Sequence, residues 1–183
     1  MNITYQRAGL TELDLLVSTR IQVLQAANQL DAAVDMSIVE RESRLYYQEA
    51  LRQGKHVAYL VWDEKIVIGT GGVSFYQVMP TCHNPTGYKA YIMNMYTEPK
   101  YRRRGIATKV LDRLVQEVRE EGIDFISLEA TEAGRALYEK YGFVQMEGEM
   151  QLPILYSSIS TGIQNAGSPE PMSSLPPIGN RKR

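Results

Sequence analysis

The chain has 183 residues, of which 44% are hydrophobic and 22% charged, which predicts one soluble globular domain and excludes two of ordinary size. Its formal net charge of −1 excludes a global field that would draw it to nucleic acid or to a membrane. The single cysteine, Cys82, excludes an intrachain disulfide and fits a reducing cytoplasm, and no apolar run approaches the roughly 18 residues of a membrane span. Because Cys82-His83 has no partner at metal-ligand spacing, no metal is expected.

Hydrophobic periodicity predicts the elements of the first half of the chain. In order these are a strand over 3–8, helices over 11–27 and about 37–51, strands over 56–62 and 66–74, and a loop over 75–88. The two strands are joined across a segment of hairpin length. The loop, which contains Pro80 and Pro85, is longer than compact domains usually need.

The second half of the chain alternates strands and helices until its composition changes. The elements are a central strand over 90–97, a helix over 105–121, a strand over 125–130, a helix over 132–141 and a last strand within 143–152. Five of the eight prolines lie in the last 31 residues, beside serine and glycine. This composition predicts a domain over 1–152 and a flexible Pro/Ser/Gly-rich tail over 153–183.

The stretch from residue 94 to residue 108 combines the features of an anion-binding turn. An apolar strand is stopped by Pro99, three arginines follow, and Gly105 opens a helix. A glycine turn at a helix start directs unpaired backbone N–H groups and the helix dipole at one point. The arginines add charge that suits phosphate. These features favour a site for a phosphate-bearing cofactor over a solvated basic turn.

Two motifs of the chain resemble signatures of the GNAT N-acetyltransferase superfamily. The coenzyme A-binding pattern of that family is Arg or Gln, two residues, Gly, one residue, then Gly or Ala, and it is matched here by Arg102-Arg103-Arg104-Gly105-Ile106-Ala107. The second signature, a tyrosine in the last helix followed by Gly-Phe, is matched by Tyr138 and Gly142-Phe143. The motifs stand in the family's order, about thirty residues apart, and the resemblance covers roughly residues 3–152.

The resemblance implies an α/β fold with a mixed, bent sheet of six or seven strands, splayed central strands and about four helices. It implies acetyl-CoA as cosubstrate, with backbone amides of 103–108 receiving the pyrophosphate and the exposed edge of residues 95–97 pairing with pantetheine. Thr131, before the last helix, is a weaker candidate contact. The implied cofactor-binding residues are Met95, Tyr96, Thr97, Arg102, Arg103, Arg104, Gly105, Ile106, Ala107, Thr108 and Thr131.

The resemblance also assigns the catalytic groups. The backbone N–H of Met95 would stabilise the oxyanion, a contribution of about 3 kcal/mol for a preorganised donor. Tyr138 would be the general acid for the departing thiolate, although it could instead be a packing aromatic. The general base stays open: histone-modifying relatives carry a glutamate where this chain has Tyr91, which leaves Glu129 or a water chain.

The implied function is transfer of an acetyl group from acetyl-CoA to a primary amine of a small molecule or protein, by direct attack in a ternary complex. Cys82 is poorly placed to form an acyl-enzyme. The alternative is a catalytically silent acyl-CoA-binding regulatory module. Cofactor motifs do not identify the amine. The acceptor wall would come from the first two helices, the loop over 75–88, the tail or a second subunit of a homodimer.

Overall fold

The computed structural model describes residues 2–146 and residue 150. Within them, strands and helices follow in this order: β1 Ile3–Ala8, α1 Leu13–Asn28, α2 Ser37–Arg52, β2 His56–Asp63, β3 Ile66–Gln77, β4 Tyr88–Thr97, α3 Ile106–Glu120, β5 Ile126–Leu128 and α4 Glu132–Tyr141. Short 3-10 turns at Leu10–Glu12 and Pro99–Tyr101 precede α1 and α3.

The five strands form one mixed sheet in the order β1-β2-β3-β4-β5. Neighbours run antiparallel except β4 and β5, which are parallel. That last pairing joins only Ala90–Ile92 to Ile126–Leu128, so within the described residues β4 has no strand partner on the β5 side from Met93 onward. This is the splayed pair of central strands that the family resemblance predicts.

A bulge bends β4 just where it leaves β5. Thr70 is opposite Tyr96 and Gly72 is opposite Met93, so Gly71 alone faces the two residues Asn94 and Met95. Asn94 has a φ of 56°, in the left-handed region that asparagine tolerates better than most residues. An extra residue of this kind interrupts the ladder and redirects the side chains that follow it.

Two apolar clusters cover opposite faces of the sheet. β2 is buried on both faces, which explains its nearly continuous apolar sequence. The larger cluster contains Val57, Tyr59, Val61, Ile68, Val73, Ala90, Ile92, Tyr101, Ile106, Val110, Leu111, Leu114, Val115, Val118, Ile123 and Tyr138. The smaller cluster contains Ala8, Leu16, Val17, Tyr47, Ala58 and Leu60. Thus α3 covers one face, while α1 and α2 cover the other.

The structure confirms the α/β fold, the mixed sheet and the four helices, but the predicted strand count was too high. Five strands lie within the described residues instead of six or seven. The expected strand over 125–130 shortens to Ile126–Leu128, and residues 143–146 carry no strand. Residues 147–149, 151–152 and the predicted tail over 153–183 lie outside the described residues.

The predicted loop over 75–88 is shorter in the structure because β3 and β4 extend into it. Their outermost pair is Gln77 with Tyr88. Asn84, which is buried, closes the remaining turn: its side-chain oxygen accepts from the Gly87 N–H at 3.1 Å, and its Nδ2 donates to the Tyr88 carbonyl at 2.9 Å. The proline content of this segment gave no sign of that network.

Candidate functional site

A cavity of about 710 Å³ lies where the unpaired part of β4 meets the first turns of α3 and α4. The C-terminal half of α1 closes one side of it through Val23, Ala26 and Ala27. Ten of the predicted cofactor-binding residues line it, as does Tyr138: Met95, Tyr96, Thr97, Arg102, Arg103, Gly105, Ile106, Ala107, Thr108 and Thr131. Two motifs that are distant in sequence therefore share one cavity.

The start of α3 forms an anion cradle on the cavity wall. Gly105 caps the helix with a φ of 75°, a conformation that favours glycine, and no side chain caps the helix. Lys109 donates its N–H to the Gly105 carbonyl at 3.1 Å, so the amides of residues 106–108 are the ones that helix geometry leaves without an intrahelical acceptor. Together with the dipole, these amides favour a negatively charged ligand.

The three arginines differ in what they contact. Arg102 Nε donates to the Thr97 carbonyl at 3.1 Å and so ties the cradle to the end of β4. Arg103 adopts a φ of 62° at the cavity wall. Arg104 does not line the cavity: its Nη2 donates to the Lys100 carbonyl at 3.1 Å, and its guanidinium lies 5.4 Å from the centre of the Tyr101 ring. Arg102 and Arg103 therefore carry the positive charge nearest the cradle.

Glycines in β3 hold β4 and α3 unusually close. A Cβ built on Gly69 would lie 2.9 Å from the Tyr96 carbonyl oxygen. One built on Gly71 would lie 2.6 Å from Met95 Sδ and 2.5 Å from Val110 Cγ1. The glycine-rich run of β3 is thus a packing device, which fixes Met95 and the bulge against α3.

Tyr138 projects from α4 into the cavity and is only 8% exposed. Its ring packs edge-on against Phe143 at 6.0 Å between centroids. Gly134, one turn earlier, leaves room for the ring, because a Cβ there would lie 3.1 Å from Tyr138 Cε2. Burial raises the pKa of Tyr138, so the phenol is protonated at neutral pH and available as a proton donor.

Thr131 is the N-cap residue of α4. Its side chain makes no capping hydrogen bond, while its carbonyl accepts from the N–H groups of Gly134 and Arg135, both at 3.0 Å. The residue lines the cavity beside Ala133 and Gly134. Its hydroxyl is therefore not used to cap the helix. Glu129, a candidate base, is exposed and follows β5.

On the α2 face, beside the bulge, the buried side chain of His56 belongs to a hydrogen-bonded cluster with the exposed Tyr46 and the partly buried Ser74. His56 Nδ1 is 3.1 Å from the Tyr46 hydroxyl and 3.0 Å from Ser74 Oγ, and those two hydroxyls contact each other. His56 Nε2 has no partner among the described residues and faces Gly72, where a Cβ would lie 2.8 Å away. Burial, aided by the Arg20 charge, lowers the pKa of His56 to about 4, so its ring is neutral at pH 7.

The sequence offered the first two helices as a possible wall of the acceptor pocket but named no residue of α1 in the site. Arg20, Val23, Ala26 and Ala27 lie on one helix, and three of them line the cavity. Arg20 Nη1 lies 3.5 Å from Asn94 Oδ1, across 74 residues of chain. The one local signal was an asparagine inside a strand, a residue type that strands disfavour and bulges accept.

Comparison with known proteins identifies the chain. Residues 24–143 match the family model described as Acetyltransferase (GNAT) family, and the chain therefore belongs to the GNAT acetyltransferase family. Its fold and cavity agree with that assignment. No curated protein sequence matches the chain at a significant level.

Solved structures of acetyltransferases share the fold. One is a predicted acetyltransferase with acetyl-CoA from Clostridium acetobutylicum, at 36% identity and a TM-score of 0.77, over 83% of this chain and 96% of that one. Another is a GCN5-related N-acetyltransferase from Ralstonia eutropha JMP134, at 25% identity and a TM-score of 0.74, over 84% and 99% of the two chains. The AAC(6')-Iy structure with a CoA bisubstrate analogue, at 13% identity and a TM-score of 0.64, shares the fold.

Other classes of site find no support in the part of the chain that the structure describes. None of its helices has the length and apolar character needed to cross a bilayer. Within residues 2–146 and 150, no three His, Cys, Asp or Glu side chains are grouped as metal ligands. Cys82 is exposed and unbridged.

Proposed function

We propose that the protein transfers an acetyl group from acetyl-CoA to a primary amine by direct attack in a ternary complex. The observation that carries this proposal is the single cavity shared by the α3 cradle, the unpaired edge of β4 and Tyr138. Membership of the GNAT family and the acetyl-CoA in the Clostridium structure support it. Bound acetyl-CoA would supply an activated thioester, and the chain would supply position and charge.

The cavity residues fit the chemistry of such a ligand from end to end. The amides of residues 106–108, with Arg102 and Arg103 nearby, suit a diphosphate. The edge of β4 after the bulge offers backbone groups that an extended amide arm can pair with, as an added strand would. The Met95 N–H, displaced from the ladder by the bulge, is the group we assign to the developing oxyanion.

Tyr138 is the residue we assign to protonate the departing thiolate. Its raised pKa makes it a weak acid, so transfer requires a thiolate that is more basic than usual. The same exclusion of water that raises the tyrosine pKa also disfavours a free thiolate, because both are anions in a low-dielectric site. Tyr138 can therefore protonate the sulfur only if the departing thiolate is desolvated at least as strongly as the phenolate that would be left behind.

A Tyr138→Phe variant tests this role. Thiol release with an amine acceptor should fall by about 10²- to 10⁴-fold, while calorimetric affinity for acetyl-CoA stays near the wild-type value. Tyr141→Phe, three residues later on the same helix, is the matched control and should retain activity. Acetyl-CoA binding by the wild type without turnover of any amine would support the silent regulatory module instead.

A further inference from the structure

The half-buried guanidinium of Arg20 carries a charge that no carboxylate balances within the described residues. Among the described residues its one hydrogen bond is to Asn94 Oδ1, at 3.5 Å, and no carboxylate within those residues forms a salt bridge with it. A guanidinium has five N–H donors, and charges withdrawn from water are normally paired. Within the part of the chain that the structure describes, most of the hydrogen-bonding capacity of Arg20 is therefore unused.

The position of Arg20 relative to β4 distinguishes that ligand from the diphosphate. Thr97 marks the cradle end of the strand, because its carbonyl accepts from Arg102 Nε. Met95 lies two residues back, and Asn94, which Arg20 contacts, lies beyond it. Arg20 therefore adjoins the proposed reaction centre from the side away from the cradle.

The positive charge of Arg20 acts on the titratable side chains beside it, which are Tyr46, Tyr47 and His56. Burial raises the pKa of Tyr46 and Tyr47 and lowers that of His56, and the Arg20 charge lowers all three. With its pKa near 4, His56 is uncharged at pH 7 and does not compete for an anion. The hydroxyls of Tyr46 and Ser74 add polar groups on the same face of the sheet.

We infer that Arg20 anchors an acceptor subsite for primary amines that also carry a carboxylate or phosphate group. This inference rests on the proposed acetyl transfer and names its substrate class. A bidentate guanidinium would hold the anionic group and present the amine to the thioester beside Met95. Nothing in the arrangement requires Arg20 to touch the acetyl-CoA itself.

Matched acceptor pairs test the subsite in the full-length protein. One arm compares α-amino acids with their carboxamides, and a second compares phosphoethanolamine with ethanolamine, both by thiol release. In at least one of these two pairs, the wild type should have a higher kcat/KM for the anionic amine than for its neutral counterpart.

Arg20→Gln should lower kcat/KM for that anionic amine by about 10- to 100-fold and change kcat/KM for its neutral counterpart by no more than about threefold. Arg20→Lys should keep part of the preference, and Arg41→Gln, an exposed arginine on α2, should keep all of it.

A uniform loss with all acceptors in Arg20→Gln would overturn the inference, since it would mean that Arg20 only holds Asn94 and the bulge. Equal use of anionic and neutral amines by the wild type would also overturn it. A product-binding measurement separates failure of the subsite from failure of acetyl transfer. Calorimetry with coenzyme A and N-acetylated amino acids, against their amides, should show an Arg20-dependent preference for the acid even if no amine is turned over, and equal affinities would refute the subsite.

Discussion

The two faces of the sheet are built from different kinds of residue. The α3 face carries the larger cluster, in which Val110, Leu111 and Leu114 are fully buried at helical spacing. The α1–α2 face carries a smaller cluster and also buried polar groups, among them His56, Thr70 and Trp62, each with one buried atom that lacks a hydrogen-bond partner among the described residues. Such atoms cost stability. The α3 face therefore contributes most of the apolar packing, while the α1–α2 face keeps the polar groups on which our proposed acceptor subsite depends.

We expect the largest loss of stability from a substitution on the α3 face. Leu111→Ala should lower the free energy of unfolding by about 3–5 kcal/mol, because Leu111 is fully buried and its neighbours interlock around it. Leu16→Ala on α1 is the matched control, since Leu16 is equally buried but belongs to the smaller cluster. Leu16→Ala should lower the free energy of unfolding by less than Leu111→Ala does. Urea denaturation of both variants measures the difference, and an equal or larger cost for Leu16→Ala would contradict the comparison.

The second prediction concerns how the stability of the fold depends on pH through His56, on the α1–α2 face. The native pKa of His56 is about 4, against 6.5 without burial. As pH falls from 6.5 towards 4, the unfolded chain binds a proton that the native ring does not, so stability falls. The loss by pH 4 is about 3 kcal/mol. Above 6.5 both states are neutral at this site, and His56 contributes no pH dependence.

Denaturation curves at pH 7 and pH 4.5 test this linkage. His56→Gln should lose less stability over that interval than the wild type, whereas His83→Gln should behave like the wild type because His83 is exposed. NMR titration of the His56 ring in the native wild type measures the same pKa directly. A midpoint at or above 6 would show that the α1–α2 face is better solvated than its geometry indicates.

The residues that we propose to bind the cofactor could be selected from the sequence because the parts of each motif are local in the chain. Pro99, the arginines and Gly105 belong to one strand–turn–helix segment, and Tyr138 lies at a fixed offset from Gly142-Phe143. Helix geometry then fixes where the amides of the first turn of α3 point. Family resemblance supplied the ligand, and the structure brought the two motifs into one cavity.

The residues that we propose to receive the acceptor could not be predicted, because they come together from distant segments. The contact between Arg20 and Asn94 spans 74 residues, and the contact between His56 and Ser74 joins β2 to β3 through a register that one bulge alters. Periodicity places a residue on a face of its own element but does not say what packs opposite. The short β5 escaped prediction for the same reason, because its length depends on pairing with β4.

The prediction with the smallest expected effect asks whether packing on the α3 face also fixes the geometry of the bulge in β4. A Gly71→Ala methyl would overlap Met95 Sδ and Val110 Cγ1, so β4 and α3 must move apart. We expect a loss of about 1–3 kcal/mol in stability and a higher KM for acetyl-CoA. Gly9→Ala is the control, because its methyl would meet only Glu12 Oε2, at 3.7 Å. If Gly71→Ala lowered stability yet left KM unchanged, the cradle and the β4 edge would be set independently of α3 packing.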